Sequence, residues 1–281
     1  MTHKRSKNCI SVDTHYHANI FGLRTSEIRK KKLAFAKWSS CNMIDIIIST
    51  EHTYKDPINA YLHLAECGCK TNTLVVPACE GISQEGVEII FVFSSEEELV
   101  RAGMVLVPFG WKVADIQAIK QETNCLVIIP HPYTLGTTGA GRILEYASYI
   151  KLLEIADYIE IENGAYFAAV NLISRVSSER WVTKNLPWLM KAYVPSVGNL
   201  FNGIGHAIGS DAHFPSHQYR IGVVEKDFTD ELTDAFAFLE RKHRFSGIDC
   251  GDNKFTDMLL SIPESLFCSM REARIKKKYK A

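Results

Sequence analysis

The sequence carries no surplus of charge: 32 Lys and Arg balance 32 Asp and Glu, for a formal net charge of +0 at pH 7 with His neutral. Such a chain sets up no global field for nucleic acid or an anionic membrane, and only local patches remain for that role. No apolar run reaches about 18 residues, so no membrane-spanning helix is expected. The opening MTHKRSKNCISVDTH is basic and lacks the apolar stretch of a secretory signal, so the expected location is cytoplasmic. The eight cysteines include no Cys-x-x-Cys pair. Cys67-Gly-Cys69 comes nearest, and without a second cluster the thiols read as buried or idle in a reducing compartment. Neither Gly-x-Ser-x-Gly nor a Walker A sequence occurs. Gly136-Thr-Thr-Gly-Ala-Gly141 lacks the Gly-Lys-Ser/Thr ending and reads as a flexible loop. There is no repeat of fixed period and no low-complexity linker.

What is present is a globular composition, 46% apolar and 23% charged over 281 residues, enough for one large domain or two small ones. Short β-branched runs at 10–12, 43–49, 73–78, 88–93, 126–130 and 158–161 predict strands buried on both faces, with weaker candidates at 205–209 and 221–224. Between them, helices are expected at 26–40, from Pro57 to near Gly68, from Ser94-Ser95 to near Gly103, and at 113–123, 141–155, 167–178, 229–242 and 263–279. The stretch 181–204 reads as a long connection. Seven or eight alternating units favour a closed or nearly closed parallel α/β barrel in a single domain over 1–281.

The chemistry sits where strands end. The first ends in Asp13-Thr-His15-Tyr-His17, the second in Thr50-Glu51-His52, and the third in Glu80-Gly81. Later ones end in His131-Pro132, Glu162-Asn163 and Ser210-Asp211-Ala-His213. Each piece alone also reads as a turn, a cap or a hydrogen-bonded pair. In a parallel barrel these ends meet at one face, and His nitrogens and carboxylate oxygens are the ligands of borderline divalent metals. Six coincidences at one topological position therefore predict a metal cluster.

In order and spacing these motifs resemble the PHP superfamily, named for polymerase and histidinol phosphatase. Its members show H-x-H, T-D-H, G-x-E, H-P and G-S-D-x-H, and the Ile-Glu-Ile-Glu-Asn segment before Gly164 is similar to the family's I-E-x-x-N. The match runs from about residue 10 to 224, with helical segments following over 229–281. The resemblance implies a distorted seven-stranded (β/α) barrel with a trinuclear site. His15, His17, Glu80 and Asp211 would hold one metal, Glu80 would bridge to a second with His131, and His52 and His213 would hold a third. Glu51, Glu162 and Asn163 would stand around these ligands.

Three departures stand out. The acidic or His residue expected about five positions after H-x-H falls at Phe21-Gly22, which takes a ligand from the third metal. The Asp of T-D-H is Glu51. A His common on the strand after G-x-E is Glu88, a candidate substitute ligand and equally an ordinary polar strand start. Two or three divalent ions (Zn, Mn or Fe) activate water, neutralise phosphate oxygens and stabilise a leaving oxygen. The expected activity is thus hydrolysis of a small phosphate monoester or a nucleic-acid end, with Arg142 and Arg220 as candidate phosphate-binding groups. Within the enzyme class the alternative is a histidinol-phosphatase-like activity, and outside it a catalytically weakened binding or structural module. Two basic blocks, Arg29-Lys-Lys-Lys32 and Arg274-Ile-Lys-Lys-Lys-Tyr-Lys280, read either as solvated helix faces or as a nucleic-acid patch.

Overall fold

The computed structural model describes residues 8–133, 138–165, 203–213, 218, 220–226, 232–250, 270, 274 and 276–279. The expected helix at 167–178, the connection at 181–204 except its last two residues, and most of 263–279 lie outside them. The strands are β1 (Cys9–Tyr16), β2 (Ile46–Ser49), β3 (Leu74–Ile82), β4 (Glu88–Val92), β5 (Leu126–Ile129), β6 (Tyr158–Asn163), β7 (Gly205–Gly209), β8 (Arg220–Glu225) and β9 (Ser246–Asp249). The α-helices are α1 (Thr25–Asn42), α2 (Pro57–Thr71), α3 (Glu96–Val105), α4 (Ile116–Thr123), α5 (Ala140–Ile143), α6 (Tyr146–Ile155) and α7 (Ala235–Glu240).

One sheet runs in the order β7-β6-β5-β4-β3-β2-β1-β8-β9. It curls into a nearly closed, distorted α/β barrel. Ladder bonds do not join β1 to β7, but the segment after β7 is tied to β1. The Asp211 N–H donates to the His15 carbonyl at 2.7 Å, and the Ser210 N–H donates to Asp13 Oδ1 at 2.9 Å. At this seam only glycine fits: a Cβ on Gly209 would overlap His15 Cβ and lie 2.7 Å from Glu160 Oε1. Gly209→Ala is therefore expected to cost about 1–3 kcal/mol through overpacking, read as a lowered Tm. An unchanged Tm would mean that the seam is open.

The strand runs are continuously apolar because both faces are covered. Val12, Ile46, Ile48, Val76, Ile90, Ile128 and Ala207 point into the barrel, where Phe236, Phe238 and Leu239 of α7 also pack. Alternate residues face outward, Ile47 against Phe35 and Leu64, and Phe91, Val127 and Ile129 against Leu99 and Leu152.

Two departures from expectation have physical causes. The helix begun at Pro57, with Asp56 accepting from the Asn59 N–H, passes Gly68 and ends at Thr71. Gly68 is an internal contact with the next strand, since a Cβ there would lie 2.5 Å from the Thr73 carbonyl oxygen. The barrel is also not wholly parallel. The short turn after β3 sends β4 back antiparallel, pairing Glu80 with Ile90 and Ile82 with Glu88. The start of β4, rather than its end, thus joins the face where the parallel strands terminate.

Candidate metal centre

Irregularities in the strands aim the site residues. The register of β1 against β2 shifts between Asp13 and Tyr16. Ile10 and Val12 fill the barrel below that shift, and above it the odd-numbered His15 and His17 share the inner face. Period-two geometry keeps residues two apart on one side. Glu80 continues the inward set of β3, and Glu88 enters from the start of antiparallel β4. His131 and Asp211 follow β5 and β7 with φ of 28° and 48°. Positive φ is uncommon outside glycine and gathers at functional sites.

These side chains converge. Glu80 lies among four imidazoles: Oε2 is 2.8 Å from His52 Nδ1 and 3.5 Å from His17 Nε2, and Oε1 is 3.3 Å from His131 Nε2 and 3.7 Å from His15 Nε2. Asp211 Oδ1 is 3.6, 3.4 and 3.3 Å from nitrogens of His15, His17 and His213. Its Oδ2 accepts from Asn163 Nδ2 at 3.1 Å. Glu88 Oε2 approaches His131 Nε2 at 3.8 Å. Four overlapping groups each offer ligand atoms within 4.8 Å of one another: His17/His52/His213, His15/His17/Glu80, His15/His131/Asp211 and His52/Glu80/Glu88.

The donor set fits divalent cations. His15 Nδ1 lies 3.2 Å from Glu160 Oε1. An ionised carboxylate only accepts, so this contact puts the proton on Nδ1 and turns the Nε2 lone pair toward the cluster. There it faces His17 Nε2 at 3.0 Å. Nitrogen and carboxylate oxygen together suit Zn, Mn or Fe.

The electrostatics point the same way. Burial alone would push Glu80 up, but the charges on His52 and His15 and the bond from His131 hold its carboxyl well below the usual range. Burial would push His131 and His17 down. Contact with Glu80 lifts His131 to about 9, and contacts with Asp211 and Glu51 and the Glu80 charge lift His17 to about 9. His52 is lowered by burial, with Lys55 and His17 adding to the effect against Glu80. The carboxylates and imidazoles thus hold one another as opposite charges, and a cation binding there would take the place of imidazole protons.

Of the surrounding groups expected from sequence, Glu51 is fully buried. Its Oε2 accepts from the Asn19 N–H at 2.6 Å, and Oε1 lies 3.2 Å from Lys55 Nζ. Asn163 bridges Asp211 and Glu160. Glu162 instead pairs with Arg220, whose Nε donates to it at 2.8 Å while Nη1 reaches Asp249 at 2.5 Å. Arg142 sits in α5, and among the described residues no hydrogen bond or ion pair joins it to the cluster. Phe21 and Gly22 are exposed on a turn, with Gly22 at φ 67°.

Sequence reasoning missed Glu160, which holds both His15 and, through Oε2, the His131 N–H at 2.6 Å. The signal was present: Glu160 is the Glu of the I-E-x-x-N segment. It also missed Asp13 as a clip, its carboxylate accepting from Ser210 and from the His15 N–H. Desolvation pushes Asp13 up to about 7 against those bonds.

No protein-family description and no curated protein sequence matches the chain. Among solved structures, the fold is similar to that of PsfC from Pseudomonas syringae PB-5123, at 14% identity and a TM-score of 0.60 over 92% of this chain and 99% of that one. It is also similar to the lesion-specific endonuclease PfuEndoQ from Pyrococcus furiosus, at 14% identity and a TM-score of 0.51 over 83% of this chain and 55% of that one. The chain thus spans about half the length of the endonuclease. At this identity the likeness establishes the shared fold, a mixed α/β barrel.

Proposed function

We propose that the chain is a metal-dependent phosphoesterase that hydrolyses a phosphate monoester or a nucleic-acid end. The observation that carries this reading is the convergence of His15, His17, His52, His131 and His213 with Glu80 and Asp211 at one end of the barrel. The fold shared with an endonuclease supports the same class of reaction. When bound, two or three divalent ions of the Zn, Mn or Fe kind would neutralise phosphate oxygens and activate a water. His15, His17, Glu80 and Asp211 would hold one ion, Glu80 with His131 and Glu88 a second, and His52 with His213 a third. Glu160 fixes the His15 ring, and Asn163 orients the Asp211 carboxylate. The PHP resemblance of the motifs is part of this proposal, as is a single domain over 1–281.

Elemental analysis of the purified protein tests it, together with hydrolysis of small chromogenic phosphate esters and nucleotides before and after chelation. Bound metal and a chelator-sensitive rate are expected. Near-zero metal and no rate with added Mn²⁺, Zn²⁺ or Fe²⁺ would favour the binding-module alternative.

The third ion is expected to bind more weakly than the other two. The Lys55 ammonium already occupies the Glu51 carboxylate beside His17 and His52. A fixed positive charge there opposes a dication. Metal titration should resolve two tight sites and one weaker site, and Lys55→Met should tighten the weaker one. Three equally tight sites in the unmodified protein would contradict this.

A further inference from the structure

Two basic blocks stand out in the sequence, 29–32 and 274–280, and each sends one lysine to the cluster. Lys276 Nζ bonds Glu88 Oε1 at 2.8 Å and lies 5.2 Å from the centre of the Tyr54 ring. Tyr54 in turn stacks on His52, with ring centres 4.6 Å apart. Lys31, on α1, places Nζ 3.5 Å from the His213 carbonyl oxygen. Between these lysines one path of short contacts crosses the cluster of candidate ligands. Glu88 touches His131 and His131 touches Glu80, which meets His17, and the His17 ring lies 4.3 Å from that of His213. Lys276 stands at the Glu88 end of the path and Lys31 at the His213 end.

A second feature marks the Lys31 end. A crevice opens there beside His17 and His213, with Lys31, Lys32 and Gln218 as polar walls and Phe35 among the apolar ones. Arg29 and Lys30, in the same block, are exposed. The two lysines that reach the cluster are therefore distinguished from a merely solvated helix face.

We propose that Lys276 and Lys31 grip phosphates on either side of the scissile ester, so that the substrate is a phosphodiester strand rather than a small monoester. This rests on the phosphoesterase reading above and adds the substrate class. A monoester presents one phosphate, which the cations at the centre of the cluster would neutralise, and offers nothing to an ammonium at each end. A strand crossing the cluster presents a phosphate to each lysine. The cation–π contact with Tyr54 and the bond to Glu88 hold the Lys276 side chain in place before substrate arrives.

The test measures binding of fluorescein-labelled single-stranded oligothymidylates of increasing length, with hydrolysis-resistant phosphorothioate linkages. Metal-loaded wild type, Lys31→Gln and Lys276→Gln are compared over a range of salt. Affinity should rise once the strand is long enough to carry a phosphate on both sides. Each Gln variant should weaken binding several-fold and reduce the log–log salt slope by about 0.7. Lys→Arg at either position should restore most of the loss, because the charge makes the contact. Wild-type slopes in both Gln variants would overturn the proposal, as would a mononucleotide bound as tightly as a longer strand. Metal content is measured in parallel. A loss in Lys276→Gln that tracks lost metal and is not rescued by Arg would make Lys276 a partner of Glu88 alone, which also overturns it. Chelator-sensitive hydrolysis of 4-nitrophenyl phosphate or bis(4-nitrophenyl) phosphate by wild type separates the two levels. With that activity present and strand binding absent, only this inference falls; with both absent, the phosphoesterase reading falls too.

Discussion

Asp211→Asn is expected to lower metal content and to slow ester hydrolysis by about a thousandfold. Several kcal/mol of transition-state stabilisation rest on such a cluster, and each ~1.4 kcal/mol is a factor of ten. Asp211 Oδ1 faces three imidazoles, and no other carboxylate reaches both His15 and His213 among the described residues. Asparagine keeps the volume and tolerates the positive φ of 48°. It removes the anion while leaving an acceptor for Asn163. The change is cleaner than His15→Ala. His15 is buried on β1 against Glu160, Glu80 and Asp211, and its loss would leave buried carboxylates without their partner at a cost in folding of about 1–3 kcal/mol. The checks are metal content by elemental analysis, rate on a chromogenic ester, and Tm of the metal-free protein. Full metal and an unchanged rate would remove Asp211 from the centre.

Much of the architecture was legible because strand signals are local. Eight apolar runs became eight strands, and the His, Asp and Glu residues that follow them gathered at one mouth. The short β9, with only one edge paired and a half-exposed sequence Ser246–Asp249, carries no apolar run to announce it. The reversal of β4 was not legible either. A parallel crossover and a tight return differ in the path between strands, while the strand's own residues read the same. That reversal brings Glu88 to the site, a position that sequence alone left balanced between ligand and strand start. Lys55 and Lys276 were invisible for a related reason: the sequence shows the charge, and only tertiary folding decides whether it meets water or a buried carboxylate. The largest miss concerns β6. Both Glu160 and Glu162 lie in one alternating segment, and period two would send both inward. The register of β6 against β7 shifts between them. Glu160 stays inside, while Glu162 swings to Arg220.

That shift sets up the second large effect. Glu160→Gln is expected to weaken metal binding and slow hydrolysis by about 10–100-fold, the usual consequence of losing a carboxylate that orients a ligating histidine. Glu160 does two jobs with its two oxygens. Oε1 faces His15 Nδ1 at 3.2 Å and fixes the tautomer that turns Nε2 to the cluster. Oε2 accepts from the His131 N–H at 2.6 Å and from Asn163 Nδ2 at 3.1 Å, tying down the loop that carries a second imidazole. Glutamine has one oxygen and one amide nitrogen, so it can serve one side only. If the oxygen stays with the His131 N–H, the amide nitrogen meets His15 Nδ1 and drives the proton to Nε2, where a metal would bind. Glu162→Gln supplies the contrast. It loosens the pair with Arg220 at 2.8 Å, which joins β6 to β8, and should lower Tm slightly while leaving metal affinity intact. Chelator competition and Tm on the two variants decide between the residues. Equal metal affinity in Glu160→Gln and wild type would show that the His15 ring is held by its other neighbours. A loss confined to Glu162→Gln would return the orienting role to Glu162, the residue expected from the strand-end motif.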